Sequence, residues 1–132
     1  MPHAAGTFDV KIKPQPLSEV AADSAFGRMS LDKQYHGDLE ATGKGEMLSV
    51  MTAVKGSAVY VALERVTGQL HGRGGAFVLQ HAGVMVRGEQ RLSVTVVEDS
   101  GTGQLTGLTG KLDIKVEGGQ HFYEFDYSLA ES

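Results

Sequence analysis

The sequence SAVYVALERVTGQL at residues 57–70, followed after a glycine-rich turn by AFVLQHAGVMV at residues 76–86, decides the fold of this chain. In both segments the apolar side chains recur with a period of two, which is the repeat of a β-strand rather than of a helix. The link between them is short, and short links join antiparallel neighbours because parallel strands need long crossover connections. The two segments therefore predict an antiparallel pair of strands.

The same period of two extends over most of the chain in both directions. The predicted strands cover residues 6–13, 28–36, 39–52, 57–70, 76–86, 91–98, 111–116 and 120–129. Glycine supplies 18 of the 132 residues and falls between or inside these segments, where it serves turns, bulges and bends. Residues 17–26 alone have helical character, and this stretch is too short for a core helix. The sequence thus predicts an all-β fold, a single antiparallel β-barrel with little or no helix.

Length and composition restrict the classes of function. A chain of 132 residues has the size of one domain, and we expect residues 1–132 to form it, with residues 1–5 as a flexible N-terminus. The net charge is −4 and lysine and arginine are not clustered, so no nucleic-acid partner is expected. No cysteine is available for disulfide or thiolate chemistry. Without a signal pattern or a long apolar run, we expect a cytoplasmic protein with no membrane partner.

Two of the predicted strands are apolar on both faces, which a sheet with one solvated face would not be. In residues 57–70 the two apolar sets are Val59, Val61 and Leu63 on one face and Ala58, Tyr60 and Ala62 on the other. Either another part of the chain or another subunit must cover the outer set. We expect a homo-oligomer, and a homodimer in preference to a trimer, because two-fold assemblies are the commonest.

Five motifs together resemble a known bacterial family. They are ALER at 62–65 followed by Gly68, GRGGAFVLQHAG at 72–83, YHGDL at 35–39, SGTGQLTGLTG at 100–110 and FYEFDY at 122–127. The likeness is to a bacterial domain-of-unknown-function family related in fold to plant allene oxide cyclase, and it covers about residues 29–129. One departure is Asp99, where the family has a glycine before the serine, and it affects only a loop. The resemblance implies an allene-oxide-cyclase-like, calycin-like barrel and a homo-oligomer, and it carries no reaction and no catalytic residue to this sequence.

Glu64 is the first candidate for chemistry. It shares a strand face with Tyr60 and with small residues, a combination that suits a barrel lumen with space in it. Desolvation there would raise the pKa of the carboxyl group and fit it to act as a general base. The alternative is a structural carboxylate that an arginine or backbone donors satisfy. In the strand at 39–52, Gly43 and Gly45 share one face and mark either a bend or room for a bulky side chain.

His81 is the second candidate for proton transfer. It follows Phe77 and Leu79 on one strand face, where a histidine is either a hydrogen-bonded core residue or a catalytic group. Four further side chains are predicted to orient a ligand: Tyr60, Gln80, Tyr123 and Tyr127.

No cofactor and no metal are expected. The five histidines lack the close spacing of a local metal site. The glycine-rich segments at 72–75 and 101–103 are not phosphate loops, because neither is followed by a helix or by Lys-Ser/Thr.

Two functions from different classes remain open. The barrel either binds a small, largely apolar molecule in its lumen, as a binding protein or a cofactor-free isomerase or cyclase-like enzyme, or it is a non-catalytic oligomeric module whose lumen is filled by side chains. The volume of the lumen separates the two, since ligand sites have volumes of about 300 Å³ or more.

Overall fold

Eight strands follow one another around a closed barrel in chain order. They are β1 (His3–Gln15), β2 (Phe26–Gly37), β3 (Leu39–Met51), β4 (Ala58–Leu70), β5 (Arg73–Val86), β6 (Glu89–Val96), β7 (Thr109–Glu117) and β8 (Gln120–Ser128). The computed structural model describes residues 2–129, and within them each strand pairs antiparallel with the next while β1 pairs with β8. The predicted all-β antiparallel barrel is thereby confirmed.

Helical structure in the described part of the chain is limited to two short 3₁₀ turns. One, Glu19–Ala21, lies in the stretch with predicted helical character, and the other, Gly103–Leu105, follows β6. Neither is long and apolar enough to cross a membrane.

The start of the chain differs from the flexible N-terminus expected at residues 1–5. His3 opens β1, and residues 3–8 pair with residues 121–126 of β8, so that this ladder closes the barrel. Ala4 has no exposed surface. Gly6 lies so close to β2 that a Cβ there would be 2.0 Å from the carbonyl oxygen of His36. Small residues are required by this close packing, and they leave no alternating apolar signal in the sequence. Met1 lies outside the described residues.

One end of the barrel, called here the closed end, is filled by side chains. Its core is rich in buried aromatic rings: Phe8, Tyr35, Phe77, Tyr123, Phe125 and Tyr127. Residues 97–108, which follow β6, run along the edge of β5 and add the buried side chains of Leu105 and Leu108. In this segment the hydroxyl oxygens of Ser100 and Thr102 accept hydrogen bonds from the backbone of β5. The segment therefore closes the barrel wall here.

The opposite end, called here the open end, is loosely packed. Strands β6 and β7 pair only at Thr95 and Lys111, so they separate towards this end. Inner-facing apolar side chains are accordingly left partly exposed, among them Ile12 at 51%, Leu92 at 41% and Val116 at 58%. The lumen is thus accessible from the open end.

We predict that Ala4→Asp destabilises the protein by about 3 kcal/mol or more, because it places a carboxylate in the fully buried seam between β1 and β8. Ala5→Asn is the control, because Ala5 is exposed on the outer face of the same strand, where a carboxylate would lie opposite Glu124. Its effect should stay within about 0.5 kcal/mol. Urea unfolding followed by circular dichroism measures both, and equal small losses would show that residues 3–6 are not packed in the barrel.

Candidate functional site

A single carboxylate, Glu64, lies at the centre of the barrel. It is on the inner face of β4 and has no exposed surface. Space for it comes from the neighbouring strand, because a Cβ at Gly43 would be 2.0 Å from Glu64 Oε2. Glycine at position 43 therefore makes room for the carboxylate, which is one of the two roles that the sequence suggested.

Three donors surround the Glu64 carboxylate. Lys33 Nζ donates to Oε1 at 3.0 Å, and His81 Nε2 approaches the same oxygen at 2.9 Å. The Tyr35 hydroxyl donates to Oε2 at 2.5 Å. These four residues, all buried, are called the polar layer here. In the described part of the chain every buried polar side-chain atom has a hydrogen-bond partner, so the polar layer carries no unsatisfied group.

The electrostatics of Glu64 differ from the expectation of a raised pKa. Burial acts to raise the pKa of this carboxyl group, but the hydrogen bond from His81, the charge of Lys33 and the hydrogen bond from Tyr35 act in the opposite direction and leave the pKa below its ordinary value. Burial and the charge of Glu64 hold the pKa of the Tyr35 hydroxyl well above its ordinary range. Glu64 is therefore an ionised acceptor with its donors in place, which favours the structural interpretation over that of a general base.

His81 keeps one nitrogen free within the polar layer. An ionised carboxylate only accepts hydrogen bonds, so Nε2 carries the hydrogen that points to Glu64. No hydrogen bond joins Nδ1 to any residue from 2 to 129. The ring points inward on β5 and is buried, with 3% of the residue's surface exposed.

Tyr60 lies nearer the open end, on the same face as Glu64. Its ring covers Gly83, where a Cβ would be 2.0 Å from Cε1. Burial raises the pKa of its hydroxyl, which has no hydrogen-bond partner within residues 2–129. Tyr60 lines a cavity of about 420 Å³ on the inner face of β3–β6. The other inner-facing side chains at this cavity are mainly apolar: Met47, Met51, Ala58, Met85 and Leu92.

Three of the predicted ligand-orienting residues lie elsewhere. The Tyr123 hydroxyl at the closed end accepts a hydrogen bond from the Leu39 backbone and donates to a backbone carbonyl, so it fastens the link between β2 and β3. The Tyr127 hydroxyl contacts His71 Nδ1 at 2.5 Å, also at the closed end. Gln80 is exposed on the outer face of β5, because His81 next to it points inward. Gln80 therefore cannot orient a ligand inside the lumen.

Lys33 and Tyr35 belong to the site although the sequence analysis did not single them out. Leu31, Lys33 and Tyr35 alternate along β2 and share its inner face, so Lys33 is a lone lysine on an apolar face. In the register of β2 and β3 it lies opposite Gly43. A buried lysine needs a partner, and the pairing of Lys33 with Glu64 could have been suspected from these two patterns together.

Comparisons with known proteins agree with one another on family and fold. The family model described as a protein of unknown function, DUF3224, matches residues 4–127. A crystal structure of a protein with unknown function from the DUF3224 family of Shewanella oneidensis MR-1 is 51% identical, with a TM-score of 0.92, and the match covers 100% of this chain and 99% of that one. Comparison with curated proteins gives no match. The likeness to a bacterial family of unknown function is thereby confirmed, while the likeness to allene oxide cyclase stays a prediction.

We predict that Glu64→Gln lowers the free energy of unfolding by about 3 kcal/mol or more at pH 7, because the change leaves the buried Lys33 ammonium without its counter-charge. The control is Glu117→Gln, which removes an exposed partner of Lys115. Such a surface pair contributes at most about 1 kcal/mol. Urea unfolding measures both, and a Glu64→Gln variant as stable as the control would contradict the structural role.

We also predict how this difference changes with pH. Because the pKa of Glu64 is lowered in the folded state, its contribution is fully present above its pKa in the unfolded chain, about 4.3, and is lost as pH falls through the lower folded value. The stability difference between the wild type and Glu64→Gln should therefore be constant from about pH 7 to pH 5 and shrink below about pH 4.3. A difference that grows on acidification would show that the folded pKa is raised instead.

Proposed function

The chain belongs to the DUF3224 family of proteins of unknown function, and we propose that it binds a small, largely apolar molecule at the open end of the barrel. The observation that carries the proposal is the cavity of about 420 Å³ on the inner face of β3–β6. Its volume exceeds the roughly 300 Å³ at which ligand sites begin. A barrel filled throughout by side chains would have no such space.

The cavity lining indicates the class of ligand. Three methionines, Met47, Met51 and Met85, supply flexible and polarisable side chains that adapt to apolar molecules of different shape. The Tyr60 hydroxyl is the one phenolic group at this surface, and its lack of a partner within residues 2–129 leaves it free to bond a polar atom of the ligand. Among residues 2–129, no lysine lines the cavity and Arg91 is its one charged lining residue. These features favour a neutral molecule with few polar atoms.

The polar layer gives the lumen a rigid floor beneath the ligand. Its charges are paired and its hydrogen bonds are made, so it holds the walls together without presenting a bare charge to an apolar molecule. Glu64 already accepts hydrogen bonds from three donors, so any proton transfer in the lumen, as a cofactor-free isomerase or cyclase would need, falls to a histidine. Two histidines point inward within residues 2–129: His81, whose Nδ1 has no hydrogen bond in that range, and His121, whose ring packs against Phe8.

The alternative function, a non-catalytic oligomeric module, is favoured by the packing of the closed end. Aromatic rings and the leucines of residues 97–108 fill that half of the lumen, and no ligand could enter there. Binding at the open end and a filled closed end are compatible with each other, and the two functions differ only in whether the open end holds a molecule.

We predict that Ala58→Trp, which fills the cavity from β4, raises the Kd for the neutral apolar probe N-phenyl-1-naphthylamine at least tenfold. The matched control is Thr67→Trp, which places the same side chain on the outer face of β4, away from the cavity. A fluorescence titration of each variant measures the change, and thermal unfolding checks that both are folded. Equal affinities in the two variants would contradict binding at this cavity.

The natural occupant is tested on the wild type purified from its own host. Native mass spectrometry is expected to show a small-molecule mass increment that is lost on denaturation. The same increment should be absent from Ala58→Trp and present in Thr67→Trp. A wild type without any increment that also fails to bind the probe would favour the non-catalytic module.

A further inference from the structure

The outer face of β2–β5 carries a continuous apolar patch. In the described part of the chain, seven large side chains on this face are between 40% and 60% exposed: Phe26, Leu48, Val59, Val61, Leu63, Val84 and Val86. They are neighbours through the sheet register, since Leu48 pairs with Val61 and Val59 pairs with Val84. Monomeric proteins rarely leave apolar patches larger than a few hundred Å² open to water. The patch and the inner cavity lie on opposite faces of the sheet, and Val59 and Val84 are the two patch residues that also line the cavity.

A groove of about 880 Å³ runs beside the patch, between residues 17–21 and the outer face of β3–β5. Leu48, Val61 and Leu63 form its floor, and Leu17 and Ala21 form one wall. Next to that wall the side chain of Val20 points away from the chain and is 99% exposed. The same region thus presents an apolar groove and an apolar projection.

We infer that this surface binds a second copy of the chain in a two-fold homodimer, with Val20 of each copy seated in the groove of the other. A two-fold interface must be self-complementary, because the same patch is used on both subunits. A projection beside a groove of the same apolar character meets that condition.

The charges at the edge of the groove fit the same arrangement. Arg28 and Glu46 form an ion pair at the rim and both line the groove, so the rim carries one charge of each sign. Across a two-fold axis each charge can face its opposite on the other copy, whereas a partner of one charge sign would gain nothing here. Within residues 2–129, the centre of the patch holds no charged side chain, as the core of a stable interface requires.

A stable dimer would use this whole surface rather than the groove alone. The patch, the groove and the segment that carries Val20 extend over four strands and one connection. A stable interface takes about 800 Å² from each partner, with an apolar centre and a polar rim, and the apolar patch with the Arg28–Glu46 pair at its edge has that arrangement.

Sedimentation equilibrium at micromolar concentration tests the proposal. The wild type is expected at twice the chain mass of 14.0 kDa. Val20→Asp and Val61→Asp should each raise the dimer dissociation constant at least tenfold. Val20 has almost no contact within its own chain, so Val20→Asp changes the interface without disturbing the barrel. Thr67→Asp, on the outer face of β4 beyond the patch, is the control and should remain dimeric.

Several results would overturn the inference. A wild type of 14.0 kDa, a trimer, or a dimer that Val20→Asp and Val61→Asp do not weaken would each exclude this interface. A monomeric wild type that floats with phosphatidylcholine vesicles would identify a membrane surface as the occupant instead. Probe binding by Ala58→Trp and Thr67→Trp is measured separately, so failure of the dimer and failure of ligand binding are distinguishable.

Discussion

The buried carboxylate of Glu64 is the constraint on which the rest of the barrel depends. A charge without exposed surface costs several kcal/mol unless donors and an opposite charge compensate it. Its donors come from different strands, Lys33 and Tyr35 from β2 and His81 from β5, so one carboxylate fixes the relation of β2, β4 and β5. Strand β3 passes between β2 and β4 and must have glycine at position 43, because any side chain there would displace the carboxylate.

The polar layer separates two halves of the lumen, one filled by side chains and one loosely packed. Towards the closed end, aromatic rings interlock and residues 97–108 complete the wall, so this half is a core of the kind found in small barrels. Towards the open end, β6 and β7 separate and the inner side chains of β3–β6 enclose a cavity. Of the two functions that the sequence left open, ligand binding corresponds to the half at the open end, and the module with a filled lumen corresponds to the half at the closed end.

Strands β4 and β5 carry apolar side chains on both faces, and each face takes part in a different proposed interaction. The inner face holds the cavity that we propose for a ligand, and the outer face holds the patch that we propose for a second copy. Occupation of both surfaces would exclude water from the backbone pairing of these strands on both sides of the sheet.

The sequence by itself determined the strands, their antiparallel order and the residues that share a strand face with Glu64 and with His81, because strand alternation depends only on the local side-chain pattern. Since β4 and β5 are apolar on both faces, alternation did not determine which face of β5 points inward. The sequence also indicated an apolar outer face on β4. The tertiary structure decided which side chains meet. Lys33 contacts Glu64 across 31 positions of sequence. Residues 3–6 form backbone hydrogen bonds with β8, which lies at the other end of the chain. The direction of the Glu64 pKa shift depends on donors from other strands. Contacts between distant segments follow from barrel closure and register, and alternation within one strand carries no information about them.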